Sequence, residues 1–248
     1  MTAGRDHGTQ RVLDAADDFR QAAGVKDLWA RLHRHLADFG VTGLMYGAEA
    51  FPDAGRRHDI LLSSYDDAYV DAKMSSGLYH CDEFVRAARV ETAPILWSDA
   101  GRLEGISPAA KRSLAIDWDF GVLTGVTLPM RFNSGLGVSA LGLHAAALSW
   151  ADFDRIWFGN SRAITGITHA FDVRLREAHV RDVVRLAPRE RECLLWLAAG
   201  LRPQQIAHRL GTHEKTVEKQ IERARHKLNA VTNAQAVATA LVYGLIVP

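Results

Sequence analysis

The chain has 248 residues, 48% hydrophobic and 24% charged with 20 glycines and 7 prolines, which suits two packed domains and excludes a disordered, collagen-like or low-complexity chain. Its two cysteines, Cys81 and Cys193, permit at most one bridge and no multi-cysteine zinc site, a usage that fits a reducing cytoplasm. The formal net charge of +1 is unevenly spread: from Leu186 onward nine Lys/Arg and five Asp/Glu give +4, residues 1–185 carry −3, and only the C-terminal piece is suited to a polyanion.

The first twenty residues hold Arg5, Asp6, Arg11, Asp14, Asp17, Asp18 and Arg20 and offer no apolar run for a secretory signal. Phe132–Ala151 and Leu228–Pro248 are uncharged but are broken by Asn133, Ser134, Ser139 and His144 and by Asn229, Asn233 and Gln235, so no membrane span is expected. Trp29, Leu32, Leu36 and Phe39 recur at helical spacing, and Gly40 ends that helix. Thr42–Ala48 and Ile60–Ser64, separated by the turn cluster Phe51-Pro52-Asp53-Ala54-Gly55, read as neighbouring antiparallel strands. Helical or turn-rich sequence runs to about Arg89. Past Pro94–Trp97, a helix starts at Ser107-Pro108, serine as cap and proline at the first position, and ends near Asp119. Gly121–Met130 and Gly137–Ala145, joined through Asn133-Ser134-Gly135, form a second hairpin. Ser149 to about His179 reads as a long helix with Phe153, Ile156, Trp157, Ile164, Ile167 and Phe171 on its apolar side, available to a dimer partner or to its own sheet. Strands flanked by helices without regular alternation predict an α+β fold, an α/β/α sandwich around an antiparallel sheet. A charged linker over residues 177–185 then separates a domain 1–176 from a small all-α domain 186–248.

That small domain shows four helical patterns: Pro188–Ala199 ended by Gly200, Pro203–Leu210, Glu214–Leu228 behind the Gly211-Thr212 corner with Thr212 or His213 as cap, and Ala234–Leu245. Val217, Ile221, Ala224 and Leu228 fall within about 60° of one another on a helical wheel, a narrow buried stripe. Lys215, Lys219, Glu222, Arg223 and His226 lie opposite. Two helices joined by a tight turn, the second with a polar and mostly basic outer face, meet the needs of major-groove reading. Charged helix faces also commonly contact only water, so this pattern alone leaves a solvated bundle helix open.

The run Leu186-Ala187-Pro188-Arg189-Glu190-Arg191-Glu192-Cys193-Leu194-Leu195-Trp196-Leu197-Ala198-Ala199-Gly200, followed by Ile206-Ala207, Leu210, Thr216-Val217 and Lys227-Leu228, resembles the DNA-binding domain of LuxR-type transcription regulators. The resemblance marks Glu190, Leu194 and Gly200 as the structural signature of its four-helix, helix-turn-helix fold. It departs at Leu201 and Gln205, where the family often has Lys and Glu, which takes away one expected phosphate contact. Lys215, Thr216, Glu218, Lys219, Glu222 and Arg223 are the candidate DNA-binding residues, the cations holding the backbone. Glu218 or Glu222 either accepts from cytosine N4 or pairs with Lys215, Lys219, Arg223 or His226 along the helix.

Aromatic and acidic residues also cluster upstream, at Tyr65, Tyr69, Tyr79, Asp82, Phe84 and Trp97, a pattern that most often means core packing. Asp82, Trp97 fifteen residues later, and Phe120-Gly121-Val122-Leu123-Thr124-Gly125-Val126-Thr127-Leu128-Pro129 resemble the autoinducer-binding domain of the same regulators. The resemblance implies that Asp82 accepts the amide N–H of an acyl-homoserine lactone, that Trp97 packs on the lactone, and that Gly125 leaves room beside the pocket. Tyr69 stands where the family has tryptophan, Lys73 where it has tyrosine, and Glu83 where it has proline. Tyr65, Tyr69, Lys73, Asp82, Trp97 and Gly125 are therefore the candidate ligand-binding residues. A buried Lys73 needs a partner, for which Asp82 or Glu83 could serve. Three outcomes stay open: an acyl-homoserine lactone with an altered head-group site, another small molecule, or no ligand.

No catalytic or metal site is expected. His80, Cys81 and Asp82 are consecutive and point apart, His33 and His35 are out of phase on a helix, and no glycine-rich phosphate loop is present. The resemblance implies a cytoplasmic homodimer on a pseudo-palindromic duplex operator, free of the membrane, with no cofactor beyond the small-molecule signal, and leaves room for contact with RNA polymerase.

Overall fold

The computed structural model describes residues 3–52 and 59–247, which divide into two units, Met1–Leu175 and Arg176–Pro248. Of the expected turn Phe51–Gly55, Asp53, Ala54 and Gly55 lie outside the described residues.

In the first unit the elements follow in the order α1 (Ala3–Arg20), α2 (Val25–Ala37), β1 (Gly43–Ala50), β2 (Ile60–Ser63), α3 (Asp67–Ser75), α4 (Glu83–Val90), β3 (Ile95–Leu96), α5 (Pro108–Asp119), β4 (Gly125–Phe132), β5 (Gly137–His144) and α6 (Trp150–Arg174). The five strands make one antiparallel sheet in the order β2-β1-β5-β4-β3. Helices α1, α2 and α6 pack together on one face and α3, α4 and α5 lie on the other, the expected sandwich. Both hairpins form as read, the second turning through Asn133, Ser134 and Gly135, all at positive φ, where short polar side chains and glycine are tolerated.

Strand alternation separates the two faces. Leu44, Tyr46 and Ala48 of β1, Val126 and Leu128 of β4, and Leu141 and Leu143 of β5 are buried toward α6. There Phe171 meets the rings of Phe19, Trp29 and Tyr46 at 6.3, 5.7 and 5.6 Å, and Asp172 accepts from Tyr46 Oη and Ser139 Oγ at 2.7 and 2.6 Å. Phe153, Trp157, Ile164, Ile167 and Phe171 are buried in this unit, so the stripe offered as a dimer element belongs to its own core. Ser149 caps α6, but regular α-helix ends at Arg174 and a single π turn, Leu175–His179, replaces the expected continuation.

Helix α1 has no counterpart in the expected elements. It contributes few apolar groups, chiefly Ala15 and Phe19, and docks by tertiary means. A Cβ at Gly166 would stand 2.6 Å from Val12 Cγ2, so glycine in α6 permits the close approach. Arg174 caps the end of α1 through the carbonyls of Phe19 and Arg20 (3.1 and 3.0 Å), while Asp18 accepts from Arg31 and lies 3.0 Å from His35 Nε2.

The second unit holds α7 (Val180–Val183), α8 (Pro188–Ala198), α9 (Pro203–Leu210), α10 (Glu214–Lys227) and α11 (Asn233–Val242). Residues 177–183, expected within the linker, are helical. Cys193, Ile206, Ala207, Val217 and Ile221 form the core under Trp196, Leu197, Leu201 and Leu210. His213 takes the cap position of α10 without a side-chain bond, and Thr232 caps α11 through Gln235 N, which starts and ends that helix earlier than expected. Among the described residues no helix is long and apolar enough to cross a membrane.

Candidate functional site

A cavity of about 110 Å³ lies between the sheet and helices α3, α4 and α5. The sheet face below it is hollow because its residues are small: Gly47 opposes Ala140, and Gly142 stands between Met45 and Thr127. Tyr65, Tyr69, Lys73, Asp82 and Trp97 all line this cavity, and Trp118, Leu123 and Trp150 form an exposed apolar rim. Gly125 is not among the lining residues. A Cβ there would stand 2.0 Å from the Leu143 carbonyl and 2.8 Å from the Trp97 ring, so the space Gly125 leaves is taken by indole. Trp97 is fixed further by donating from Nε1 to Thr127 Oγ1 at 2.9 Å and by stacking on His144.

Asp66 caps α3 by accepting from Tyr69 N at 3.0 Å, and the four-residue spacing then puts Tyr69 and Lys73 on the same buried side. Lys73 is only 2% exposed. Its ammonium donates to Asp82 Oδ2 at 2.7 Å, to both oxygens of Asp117 at 2.7 Å and to the Ser113 carbonyl at 3.0 Å. Of the two expected partners Asp82 therefore serves, whereas Glu83 turns outward to Arg86 at 3.3 Å. Asp82 also caps α4, its Oδ1 accepting from Phe84 N and Val85 N at 2.9 and 3.1 Å. Tyr69 Oη donates to Asp117 Oδ1 at 2.8 Å.

Asp117 is the member that the sequence reading missed. It lies on the buried side of α5 with Ala110, Ser113 and Leu114, and a carboxylate at that phase beside a lysine on another apolar face was the available signal. Burial and the neighbouring Asp82 charge push Asp117 up to about 6 against the pull of Lys73. Burial by itself lowers the Lys73 ammonium, and its two carboxylates outweigh that, holding it above its ordinary value. The Tyr65 and Tyr69 phenols are raised by burial and by Asp117, so both remain protonated donors. On the sheet side, Glu49 and Arg89 line the cavity as a two-pronged ion pair at 2.7 and 3.0 Å. Among the described residues no group of three or more His, Cys, Asp or Glu is placed to hold a metal ion.

In the second unit the inner side of α10 is closed by Val217, Ile221, Ala224 and Leu228, all buried. Lys215, Thr216, Glu218, Lys219, Glu222, Arg223 and His226 are exposed opposite them. Among the described residues none of the charged members of this set has an ion-pair partner, whereas the last two cations of the helix are spent internally, Arg225 on the Val231 carbonyl and Lys227 on Glu190 at 2.7 Å. The model of the autoinducer binding domain matches residues 24–175, and that of bacterial regulatory proteins of the luxR family matches residues 184–240. The chain belongs to the LuxR-type regulators.

The HTH-type quorum sensing-dependent transcriptional regulator RpaR of Rhodopseudomonas palustris is 28% identical over 244 residues, 96% of this chain and 95% of that one. The transcriptional activator protein AhyR of Aeromonas hydrophila is 25% identical over 195 residues, 76% of this chain and 74% of that one. Solved structures that share the fold include two with bound or named acyl ligands. SdiA in complex with octanoyl-rac-glycerol has a TM-score of 0.55 at 17% identity, with 99% of this chain and 97% of that one covered. The N-acylhomoserine lactone dependent factor CepR2 from Burkholderia cenocepacia has a TM-score of 0.54 at 14% identity, with 68% and 96% covered.

Within this LuxR-type regulator the signature residues have local physical roles. Glu190, 2% exposed, accepts from Ala187 N at 2.7 Å to start α8 and receives Lys227 from the end of α10. Leu194 is fully buried, and Gly200 leaves α8 at φ +86°, a left-handed conformation that favours glycine. Gln205 caps α9 by accepting from Arg202 N at 2.8 Å, and Leu201 packs on the core, so both departures are absorbed structurally. Arg209 stacks over Trp196, its guanidinium carbon 4.1 Å from the ring centroid.

Proposed function

We propose that this LuxR-type regulator works in the cytoplasm as a homodimer that places two copies of α10 in successive major grooves of a pseudo-palindromic operator, under the control of an acyl-bearing small molecule held in the cavity of the first unit. The observation that carries it is the two-sided α10, sealed inside by its apolar stripe and presenting unpaired Lys215, Lys219 and Arg223 outside. In this reading those three hold phosphates, Thr216 supports them, and Glu218 or Glu222 reads a base edge. One such helix reaches a single half-site, so a two-fold pair gains both affinity and selectivity for spacing. The signal contacts Tyr65, Tyr69, Lys73, Asp82 and Trp97, and it acts by favouring the dimer competent for DNA and for any contact with RNA polymerase.

The paired charges of the cavity support a second reading, in which the sensor unit folds without a signal and operator binding is constitutive. Enrichment of duplexes from a random-sequence pool by the full chain tests the first. The expected product is a two-fold repeat with half-sites about one helical turn apart, 10–10.5 base pairs. Enrichment of single, unpaired sites contradicts the dimer, and equal enrichment with and without every acyl compound supplied favours the second reading.

A further inference from the structure

The polar end of the cavity has few donors to spare, the Tyr65 hydroxyl among them. A lactone or ester carbonyl is an acceptor and requires an N–H or O–H aimed at it. Around the ion cluster three of those groups already donate elsewhere: Tyr69 Oη to Asp117, Lys73 Nζ to Asp82, Asp117 and the Ser113 carbonyl, and Trp97 Nε1 to Thr127. Asp82, the acceptor that the resemblance assigns to a ligand amide, is also occupied, with two backbone N–H groups on one oxygen and Lys73 and Ser113 Oγ on the other.

What the cluster does have is negative charge in excess, two carboxylates around one ammonium. Asp82 is compensated by the N-terminus of α4, which it caps. Asp117 has the opposite placement, in the last turn of α5, at the negative end of the helix dipole. The excess therefore rests on Asp117, which lines the cavity. Facing the same space is Tyr65, whose hydroxyl has no hydrogen-bond partner among the described residues and can accept from an incoming N–H.

Resting on the sensor reading above, we infer that the cavity selects a signal with a cationic head, an acylated primary amine rather than a lactone, its ammonium against Asp117 and Tyr65 and its acyl chain over Gly47 and Ala140. Such a head supplies the charge that the buried cluster lacks, and burial already presses Asp117 toward its neutral form. The lactone ring itself brings only acceptors to a place crowded with carboxylate oxygens.

The test uses two compounds with the same acyl amide and opposite heads, N-octanoyl-homoserine lactone and N-octanoyl-ethylenediamine, and follows the melting of the full chain. The amine raises Tm in a concentration-dependent way and the lactone does not. Asp117→Asn, which keeps the shape and removes the charge, raises the half-maximal concentration of the amine about tenfold or more. Tyr65→Phe, which leaves the ion cluster whole, raises it severalfold and provides the same readout should the first variant fail to fold. A shift with the lactone and none with the amine overturns this inference and leaves the sensor reading standing. Equal shifts with both compounds, or an amine shift unchanged in both variants, do the same. No shift with either compound overturns the inference and contradicts the sensor reading with it.

Discussion

The cavity of the first unit and the outer face of α10 both concentrate charge, and they dispose of it in opposite ways. In the cavity each charge has a partner within 3 Å, because removing ions from water without pairing them costs several kcal/mol per ion. On α10 the charges face solvent, where staying unpaired costs little. Pairing therefore governs what each region is able to bind. An exposed, unpaired Lys or Arg is ready for a phosphate, whereas a buried cluster that satisfies itself recognises only what its own imbalance leaves wanting.

The contrast is broken most severely by Lys73→Met, which leaves Asp82 and Asp117 buried with no cation between them. The loss of stability in urea unfolding is expected at about 3–5 kcal/mol, and adding Asp117→Leu should recover part of it, since one of the two stranded carboxylates is then gone and Asp82 keeps the backbone donors of α4. A small loss for Lys73→Met alone would show that the cluster is not held as described. Next in size is Glu190→Ala, the one buried carboxylate that ties α8 to α10. It removes two charge-assisted bonds, and a loss of about 2–3 kcal/mol is expected for the second unit.

Acidification sharpens the comparison further. The carboxyl of Asp117 is pushed up to about 6 from its ordinary 3.8, so the folded chain holds that proton more tightly than the unfolded chain does. Stability from this group is present when it is protonated and is lost as pH rises through about 6; moving from pH 7 to pH 5 should add on the order of 1 kcal/mol. Asp117→Asn should remove that part of the pH dependence, seen as the difference between the unfolding curves of the two proteins. The smallest effects belong to the exposed helix. Lys219→Ala should weaken duplex binding by about 1 kcal/mol or less, alike on all sequences, and reduce the salt slope by about 1. Glu222→Gln should instead alter base preference at one position. A uniform gain in affinity with unchanged preference would assign that carboxylate a purely repulsive role.

How far the sequence could be read followed the locality of the signal. The stripe Val217, Ile221, Ala224 and Leu228 is periodic within one helix, and Asn133-Ser134-Gly135 carries its turn chemistry in three consecutive residues, so α10 and the second hairpin were both legible. Helix α1 was not, because what docks it, the gap at Gly166 and the Arg174 cap, comes from residues about 150 positions away. The two-residue strand β3 is too short to show a period. In the cavity, Tyr69, Lys73, Asp82 and Trp97 were legible through resemblance, Tyr65 through the clustering of aromatic residues, and the need of Lys73 for a partner through electrostatics. Asp117 stayed hidden since its pairing joins two helices 44 residues apart, and Gly125 was read as serving the cavity when its space serves the Trp97 ring. Helical structure over 177–183 was missed because a run of charged residues reads alike as linker and as exposed helix.

The proposed function depends on the free charges of α10, and the salt dependence of duplex binding by the full chain addresses them directly. The predicted result is an affinity that falls steeply as salt rises, with a log–log slope of about −0.9 for each phosphate neutralised, and a clearly shallower slope in the triple variant Lys215→Ala, Lys219→Ala, Arg223→Ala. Binding that ignores salt, or that keeps the same slope in the triple variant, would contradict the assignment of this face to DNA.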